Sequence, residues 1–273
     1  MSIYKFKEKQ TSLPSPDARK LPSAWKGFNL LNMFYFSERN EFEFPENEFK
    51  IISEWGFNFI RIPMDYRCLM SSDDWYSINE SAVSRLDKAL DYGIKYDIHI
   101  SLNLHRAPGY TVASPPEKTN LWTEKEPQNA FKNLWAYFAK RYRNIPNEYL
   151  DFNLVNEPAN IDEASYAAVA KMAADSIWEH DSKRLIIADG LEYGTIPSEM
   201  IKNFGMAQST RGYQPFTLTH YHAGWVEGSQ DYPLPAWPSD AVSFNKTSLY
   251  ETHFKKWDKL GCGVMAGEWG AHN

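Results

Sequence analysis

The sequence predicts an α/β fold of the (β/α)8 TIM-barrel class, with seven strand-helix units evident along the chain. Two observations predict it. Short apolar runs alternate with stretches of helical periodicity, which is typical of a parallel sheet covered on both faces. Several of these runs also end in a polar or titratable side chain, as strands do at the functional rim of a barrel. No Gly-rich phosphate loop follows the first run, which disfavours a doubly wound nucleotide-binding sheet.

Each predicted strand is a short, mainly apolar run that is bounded by polar or turn residues. In chain order the predicted strands are residues 27–33, 57–63, 97–105, 149–157, 184–190, 216–222 and 263–268. Apolar residues at helical spacing predict the helices between them. The apolar faces are Phe49, Ile52 and Trp55; Val83, Leu86 and Leu90; Phe131, Leu134, Trp135, Phe138 and Tyr142; an alanine-rich segment at 164–178; and Tyr250, Phe254 and Trp257.

The chain divides into an N-terminal arm and one barrel domain. Residues 1–24 are polar and contain prolines, so we expect a surface arm, and residues 25–273 carry the barrel pattern. Because the sequence stops at Asn273, the barrel domain is predicted to be C-terminally incomplete, with its eighth unit missing. Strands one and seven would then have unpaired edges. We therefore expect self-association through the open edge or closure by a further segment, rather than a stable, active monomer.

Composition and charge exclude several classes of protein. Hydrophobic residues make up 43% of the 273 residues, as in an ordinary globular chain. The formal net charge of −6 argues against nucleic-acid binding. No apolar run approaches the roughly 18 residues of a membrane span, and the N-terminus has no apolar signal region. The protein is therefore expected to be cytoplasmic or to have lost a secretion signal. Cys68 and Cys262 form no CxxC motif and are predicted to be free thiols near opposite ends of the barrel.

Polar side chains stand at the ends of five predicted strands. The C-terminal ends of barrel strands meet at one rim, where active sites of this fold lie. The candidate rim residues are Arg61, Asn103, His105, Asn156, Glu157, His220, Tyr221, His222 and Glu268. Taken singly, each residue has an ordinary structural explanation, but their placement at corresponding positions indicates a site.

Two of these rim residues suggest acid/base and nucleophilic chemistry. Retaining glycoside hydrolysis uses two carboxyl groups about 5–5.5 Å apart, one that protonates the leaving oxygen and one that attacks the anomeric carbon. Glu157 and Glu268 end strands four and seven and can face each other across a cleft. A metal site of the rim histidines with these carboxylates is an alternative, but the first strand offers no histidine ligand.

Five sequence pieces, in chain order, resemble glycoside hydrolase family 5: FNFIRIP, SLNLH, FNLVNEP, THYHAGW and GEWG. The most specific is FNLVNEP, an apolar strand that runs into Asn-Glu-Pro. The resemblance covers roughly residues 25 to 273. It implies a barrel with Glu157 as acid/base, Glu268 as nucleophile and Asn156 as a substrate-binding residue.

The resemblance also implies that Arg61 and His105 shape the site and that His220 is the strand-six histidine. The family often has His-x-Tyr on that strand, with the Tyr hydrogen-bonded to the nucleophile, whereas this chain has His220, Tyr221 and His222. Alternation along a strand favours His222 pointing inward with His220. The family's tryptophan at the end of strand eight has no counterpart in this sequence.

The implied activity is retaining hydrolysis of a β-1,4-linked polysaccharide or oligosaccharide. An endo-β-1,4-glucanase is the first interpretation and a β-mannanase the second, while a non-catalytic carbohydrate-binding barrel is the alternative from another class. The matched pair of carboxylates argues against the last. We expect no cofactor and no metal. The candidate sugar-stacking platforms are Trp122, Trp225, Trp237 and Trp269.

Overall fold

A computed structural model describes residues 25–37, 42–71, 74–235 and 250–272. Its strands form one parallel sheet in chain order, which confirms the predicted barrel class. The strands are β1 (Gly27–Asn29), β2 (Phe59–Asp65), β3 (His99–Arg106), β4 (Leu150–Val155), β5 (Ile186–Asp189), β6 (Ala207–Gly212) and β7 (Val264–Trp269). The predicted arm, residues 1–24, lies outside the described residues.

The sheet curls into a nearly closed barrel whose two end strands approach each other. Within the described residues β1 pairs with β2 and β7 pairs with β6. Across the remaining gap, Asn29 Nδ2 of β1 donates to Gly267 O of β7 at 3.1 Å. At Gly27 a Cβ would lie 1.6 Å from Phe59 O, so glycine is required where β1 meets β2. The predicted self-association through this edge stays a prediction.

Amphipathic helices cover the outside of the barrel. They are α1 (Glu46–Glu54), α2 (Glu80–Lys95), α3 (Lys125–Tyr142), α4 (Glu163–Trp178), α5 (Glu199–Asn203), α6 (Phe216–Thr219) and α7 (Lys255–Asp258). Side chains cap three of them, because Asn79, Asp162 and Ser198 accept from backbone N–H groups of the first turn. No helix of the described residues is long and apolar enough to span a bilayer.

The hydrophobic core lies between the sheet and these helices. The predicted apolar faces of α2 and α3 are fully buried, from Val83 to Tyr142. On the first helix, the predicted face of Phe49, Ile52 and Trp55 is only partly buried. Because α1 ends at Glu54, Trp55 lies beyond it, and its indole is 68% exposed. Cys68 follows β2 and Cys262 precedes β7, and both are free thiols, as predicted.

The predicted sixth strand is wrong. Residues 216–219 form α6, and the strand is Ala207–Gly212, a segment with one apolar residue. An apolar-run criterion misses it because most of its side chains are polar and find buried partners. Gln208 bonds to the backbone of Ser198, and Thr210 Oγ1 donates to Gly194 O. Hydrogen bonding to buried partners therefore replaces the apolar signal that other strands carry.

Candidate active site

Arg61 of β2 is the central cation at the rim of the barrel. Its side chain is fully buried, and its guanidinium reaches three other strands or strand ends. Nη1 donates to Asn29 Oδ1 at 3.1 Å and to Glu268 Oε1 at 2.7 Å. Nε donates to Asn153 Oδ1 at 3.0 Å, and Nη2 donates to Asn156 Oδ1 at 2.9 Å. Arg61 thus holds the two ends of the barrel and the fourth strand in one hydrogen-bonded cluster.

Glu268 of β7 is held as a carboxylate. Besides Arg61, its Oε2 accepts from Tyr213 Oη at 3.0 Å, and Arg211 Nη2 lies 3.6 Å from Oε1. Burial opposes its ionisation, but Arg211 and Arg61 together outweigh burial and lower the pKa of Glu268 well below its ordinary value. The predicted nucleophile is therefore ionised and oriented by two cations and one phenol.

Glu157 stands two residues after the end of β4, in a left-handed backbone conformation with φ of 50°. Three contacts hold this conformation, which costs energy for a residue other than glycine. Its N–H donates to Asp189 Oδ2 at 2.9 Å, its carbonyl accepts from Tyr110 Oη at 2.7 Å, and Oε1 accepts from Arg211 Nε at 2.6 Å. Burial raises the pKa of Glu157, against the opposing pull of Arg211 and with support from Glu268.

Arg211 of β6 links the two predicted catalytic carboxylates. Its guanidinium contacts both Glu157 and Glu268, and its Nη2 also donates to Asp189 Oδ2 and to Asn156 Oδ1. The side chain is 2% exposed, so these contacts lie in a site shielded from water. One guanidinium in contact with both carboxylates requires that they face the same cleft, as the strand positions predicted.

Asn156 offers a free donor at the centre of this cluster. Its Oδ1 accepts from Arg61 Nη2 and from Arg211 Nη2. Since both neighbours are donors, the amide orientation is fixed with Nδ2 pointing away from them. Among the described residues this buried Nδ2 has no hydrogen-bond partner. It is therefore suited to donate to a hydroxyl of a bound ligand.

His105 of β3 is a neutral wall residue. Burial is the main reason that the pKa of His105 is lowered to about 4, with Glu268 opposing the shift. Its ring lies 4.3 Å from the ring of Phe34, centroid to centroid. Asn103, also predicted for this rim, lies deeper in the barrel, where Nδ2 donates to Asn153 O at 3.1 Å.

The structure corrects the predicted strand-six residues. His220 ends α6, stacks on Phe216 with ring centroids 3.8 Å apart, and hydrogen-bonds Thr219 Oγ1 through Nδ1. Tyr221 and His222 follow in a turn and stack on each other, with His222 at φ 55°. Since these residues lie outside the strand, alternation along a strand does not orient them, and the contact expected of the family's tyrosine is made elsewhere.

Residues that the sequence reasoning missed complete the site: Asp189, Arg211 and Tyr213. Arg211 and Tyr213 have the two-residue spacing of the expected His-x-Tyr, with arginine in place of histidine, and Tyr213 makes the contact to Glu268. The polar character of β6 concealed them. Asp189 is the last residue of β5 and the last but one of predicted strand five, so applying the rim criterion to every strand would have found it.

Two of the candidate indoles are largely exposed. Trp225 and Trp269 are each 70% exposed. Trp269 follows Glu268 within β7, so alternation along the strand turns its side chain to the opposite face of the sheet from that carboxylate. Trp122 instead packs against Tyr110, with ring centroids 4.7 Å apart, and so contributes to the wall. Trp237 lies outside the described residues.

The described residues hold no group of three or more His, Cys, Asp or Glu arranged to bind a metal ion. Two histidines of the alternative metal site pack against different aromatic rings. The ring of His105 lies against Phe34, and the ring of His220 stacks on Phe216. A metal site built from these histidines therefore has no support in the geometry.

Comparison with known proteins places this chain in a family. The family model named Cellulase (glycosyl hydrolase family 5) matches residues 17–273. Endoglucanase C of Acetivibrio thermocellus is 31% identical over 193 residues, which cover 68% of this chain and 55% of that protein. Cellodextrinase A of Ruminococcus flavefaciens is 25% identical over 90% of this chain and 75% of its own length.

A solved structure described as a glycoside hydrolase has a TM-score of 0.86 and 36% sequence identity. The match covers 91% of this chain and 79% of that chain. The similarity thus extends over nearly the whole described barrel. By contrast, the chain spans little more than half the length of endoglucanase C.

Proposed function

The chain belongs to glycosyl hydrolase family 5, the cellulase family, and from this premise we propose that it hydrolyses β-1,4-linked glucan with retention of anomeric configuration. One observation carries the proposal. Two carboxylates that contact the same buried guanidinium have pKa values moved in opposite directions, with that of Glu157 raised and that of Glu268 lowered. Such a pair supplies one proton donor and one ionised nucleophile at the same pH.

In the first step Glu268 attacks the anomeric carbon while Glu157 gives its proton to the leaving oxygen, so that a glycosyl ester with Glu268 forms and the glycosidic bond breaks. In the second step Glu157, now a carboxylate, takes a proton from water, which attacks the same carbon and releases Glu268. Asn156 Nδ2 is placed to donate to the sugar 2-hydroxyl, a contact that strengthens in the transition state. Tyr213 and Arg61 hold Glu268 throughout.

β-Glucan is the first choice of substrate because the similar proteins are an endoglucanase and a cellodextrinase. Endo action is the first choice because the similar proteins include an endoglucanase, and the exposed indole of Trp225 is available to stack on a sugar ring. The substrate of the whole protein and its mode of attack are part of the proposal.

We expect the protein to release reducing ends from carboxymethylcellulose and mixed-linkage β-glucan faster than from galactomannan or xylan, and to do so equally well in EDTA. Early loss of viscosity relative to reducing ends measures endo action. A Glu157→Gln/Glu268→Gln double variant gives the background of contaminating enzymes. Binding of glucan without turnover would instead support a non-catalytic carbohydrate-binding barrel, and loss of turnover in EDTA would support a metal-dependent hydrolase.

We expect the first product formed from cellopentaose to be the β-anomer, because two inversions at one carbon give net retention. Proton NMR within the first minutes, before mutarotation, measures the anomeric ratio. The α-anomer appearing first would indicate direct attack by water. That result would contradict the assignment of Glu268 as nucleophile and would require a wider carboxylate separation, of about 6.5–9.5 Å.

A further inference from the structure

Asp189 is a buried carboxylate that the mechanism above leaves without a role. Its side chain is fully buried at the end of β5. Oδ1 accepts from Asn153 Nδ2 at 2.9 Å, and Oδ2 accepts from Glu157 N at 2.9 Å and from Arg211 Nη2. It therefore contacts both the backbone of the proposed acid/base and the arginine that binds the acid/base side chain.

The contact between Arg211 and Glu157 opposes the proton-donor role proposed for Glu157. Arg211 Nε donates to Glu157 Oε1 at 2.6 Å, a contact that stabilises the carboxylate form of Glu157. The first step of the proposed reaction needs Glu157 protonated. Another charge in the site must offset the effect of the Arg211 guanidinium, since otherwise Glu157 would be ionised before the reaction begins.

The charges of the cluster provide that offset. Within the part of the chain that the structure describes, the groups that face Glu157 and Glu268 are Arg61 from β2, His105 from β3, Asp189 from β5, Arg211 from β6, and the phenols Tyr110 and Tyr213. Burial keeps His105 neutral, with a pKa of about 4, and raises the pKa of both phenols. Two guanidinium groups therefore face three carboxyl groups, and full ionisation would leave one uncompensated negative charge.

A proton on one of the three carboxyl groups removes this excess charge, and the hydrogen-bond donors around each group indicate which one carries it. Glu268 lies against both guanidinium groups and Tyr213, and Asp189 accepts from three N–H donors. The Glu157 carboxyl accepts one hydrogen bond from the described residues, from Arg211. Because it has the fewest donors, Glu157 is the carboxyl that takes up the proton at least cost.

We propose that Asp189 is a positioning residue for the acid/base, which fixes Glu157 through its N–H and supplies the third negative charge that offsets Arg211. This inference rests on the proposed function, since it assigns a role within the same reaction. At Gly267 a Cβ would lie 2.4 Å from Ser209 Oγ and 3.0 Å from Arg211 Nη1, so a larger residue beside Glu268 would crowd both side chains.

The charge balance predicts opposite effects for the two partners. In Asp189→Asn a negative charge is lost and Arg211 is less compensated, so the pKa of Glu157 falls. In Arg211→Gln the contacting cation is lost, so the pKa of Glu157 rises. Each change should amount to about one unit or more, the usual scale for a nearby charge. The double variant should lie between the two single variants.

Two readouts measure this effect. The first is the carboxyl carbon NMR titration of Glu157 in the protein alone, with its resonance assigned by its loss in Glu157→Gln. The second is the pH profile of kcat/KM on cellopentaose. A required acid loses activity as pH rises through its pKa, so Asp189→Asn should move the alkaline limb to lower pH and Arg211→Gln should move it to higher pH.

Asp151→Asn is the matched control, because Asp151 is an equally buried barrel carboxylate that bonds His99 and Ser101 away from the site. It should lower the melting temperature and leave both readouts unchanged. A pKa of Glu157 that stays constant or rises in Asp189→Asn would overturn the inference. If Asp189→Asn does not fold, Arg211→Gln provides the test. A pKa of Glu157 that stays constant or falls in Arg211→Gln would then contradict the inference. The titration needs no turnover, so it distinguishes this failure from failure of the proposed function.

Discussion

Replacing Glu268 with alanine is expected to abolish turnover of β-glucan, with a loss of at least about 10⁴-fold, the scale seen when a covalent nucleophile is removed from other hydrolases. The physical reason is that, among the described residues, no other carboxylate lies where Glu268 stands, between Arg61 and Arg211 and hydrogen-bonded to the Tyr213 hydroxyl. The measurement is kcat on cellopentaose, together with azide addition on an aryl β-cellobioside. Azide should restore release of the phenol and give the α-glycosyl azide by a single displacement.

The Glu268→Ala protein should remain folded. Arg61 keeps its hydrogen bonds to Asn29, Asn153 and Asn156. Arg211 keeps its contacts with Glu157 and Asp189. Far-ultraviolet circular dichroism and thermal unfolding check this, and Glu268→Gln, which retains the shape of the side chain, is the matched control. An inactive but folded pair supports the nucleophile assignment. Residual activity within about 10-fold of the parent in both variants would contradict it.

Replacing Glu157 with alanine is expected to slow hydrolysis of unactivated glucan by about 10²–10⁴-fold, because both proton transfers are lost. A dinitrophenyl β-cellobioside, whose leaving group needs no proton, should still form the glycosyl ester with Glu268. Hydrolysis of this glycosyl ester is then slow, since no general base activates the attacking water. A rapid burst of dinitrophenol followed by a slow steady rate is therefore the expected stopped-flow trace.

Azide distinguishes the two glutamates in this experiment. In Glu157→Ala it should accelerate the slow phase and give the β-glycosyl azide, because it attacks the ester from the face that Glu157 leaves open. Glu268→Ala should give the α-azide. Identical azide products from both variants, or no burst in Glu157→Ala, would mean that the two roles are assigned wrongly. Glu163, which bonds Ser198 at the start of α5, offers a Glu→Ala control outside the site.

Several elements followed from local pattern. Helices α2, α3 and α4 have apolar faces at helical spacing, and the structure buries them where predicted. The strand ends at Arg61, His105, Glu157 and Glu268 were predicted by one argument, that the ends of parallel strands share a rim. The contacts of Arg61 with Glu268 and with Asn156 agree with that prediction.

The sixth strand did not follow from pattern, because its side chains are stabilised by partners distant in sequence. Thr210 lies against Gly194 and His253, and Arg211 is neutralised by Glu157 and Asp189. None of these partners is within the window that a periodicity argument considers. The segment 216–222 was predicted instead because it has more apolar residues, although its first residues form a short helix.

The sequence by itself determined the barrel class, because the alternation of strands and helices depends on residue type and order along the chain. It also predicted the two glutamates, whose catalytic roles are part of the proposal. The tertiary structure alone decided which cation serves both glutamates, that Tyr213 rather than Tyr221 or His222 contacts Glu268, and that Asp189 belongs to the site. The physical reason is that ionisation and hydrogen bonding depend on distances between strands. Those distances follow from the register and closure of the whole sheet, which no local segment specifies.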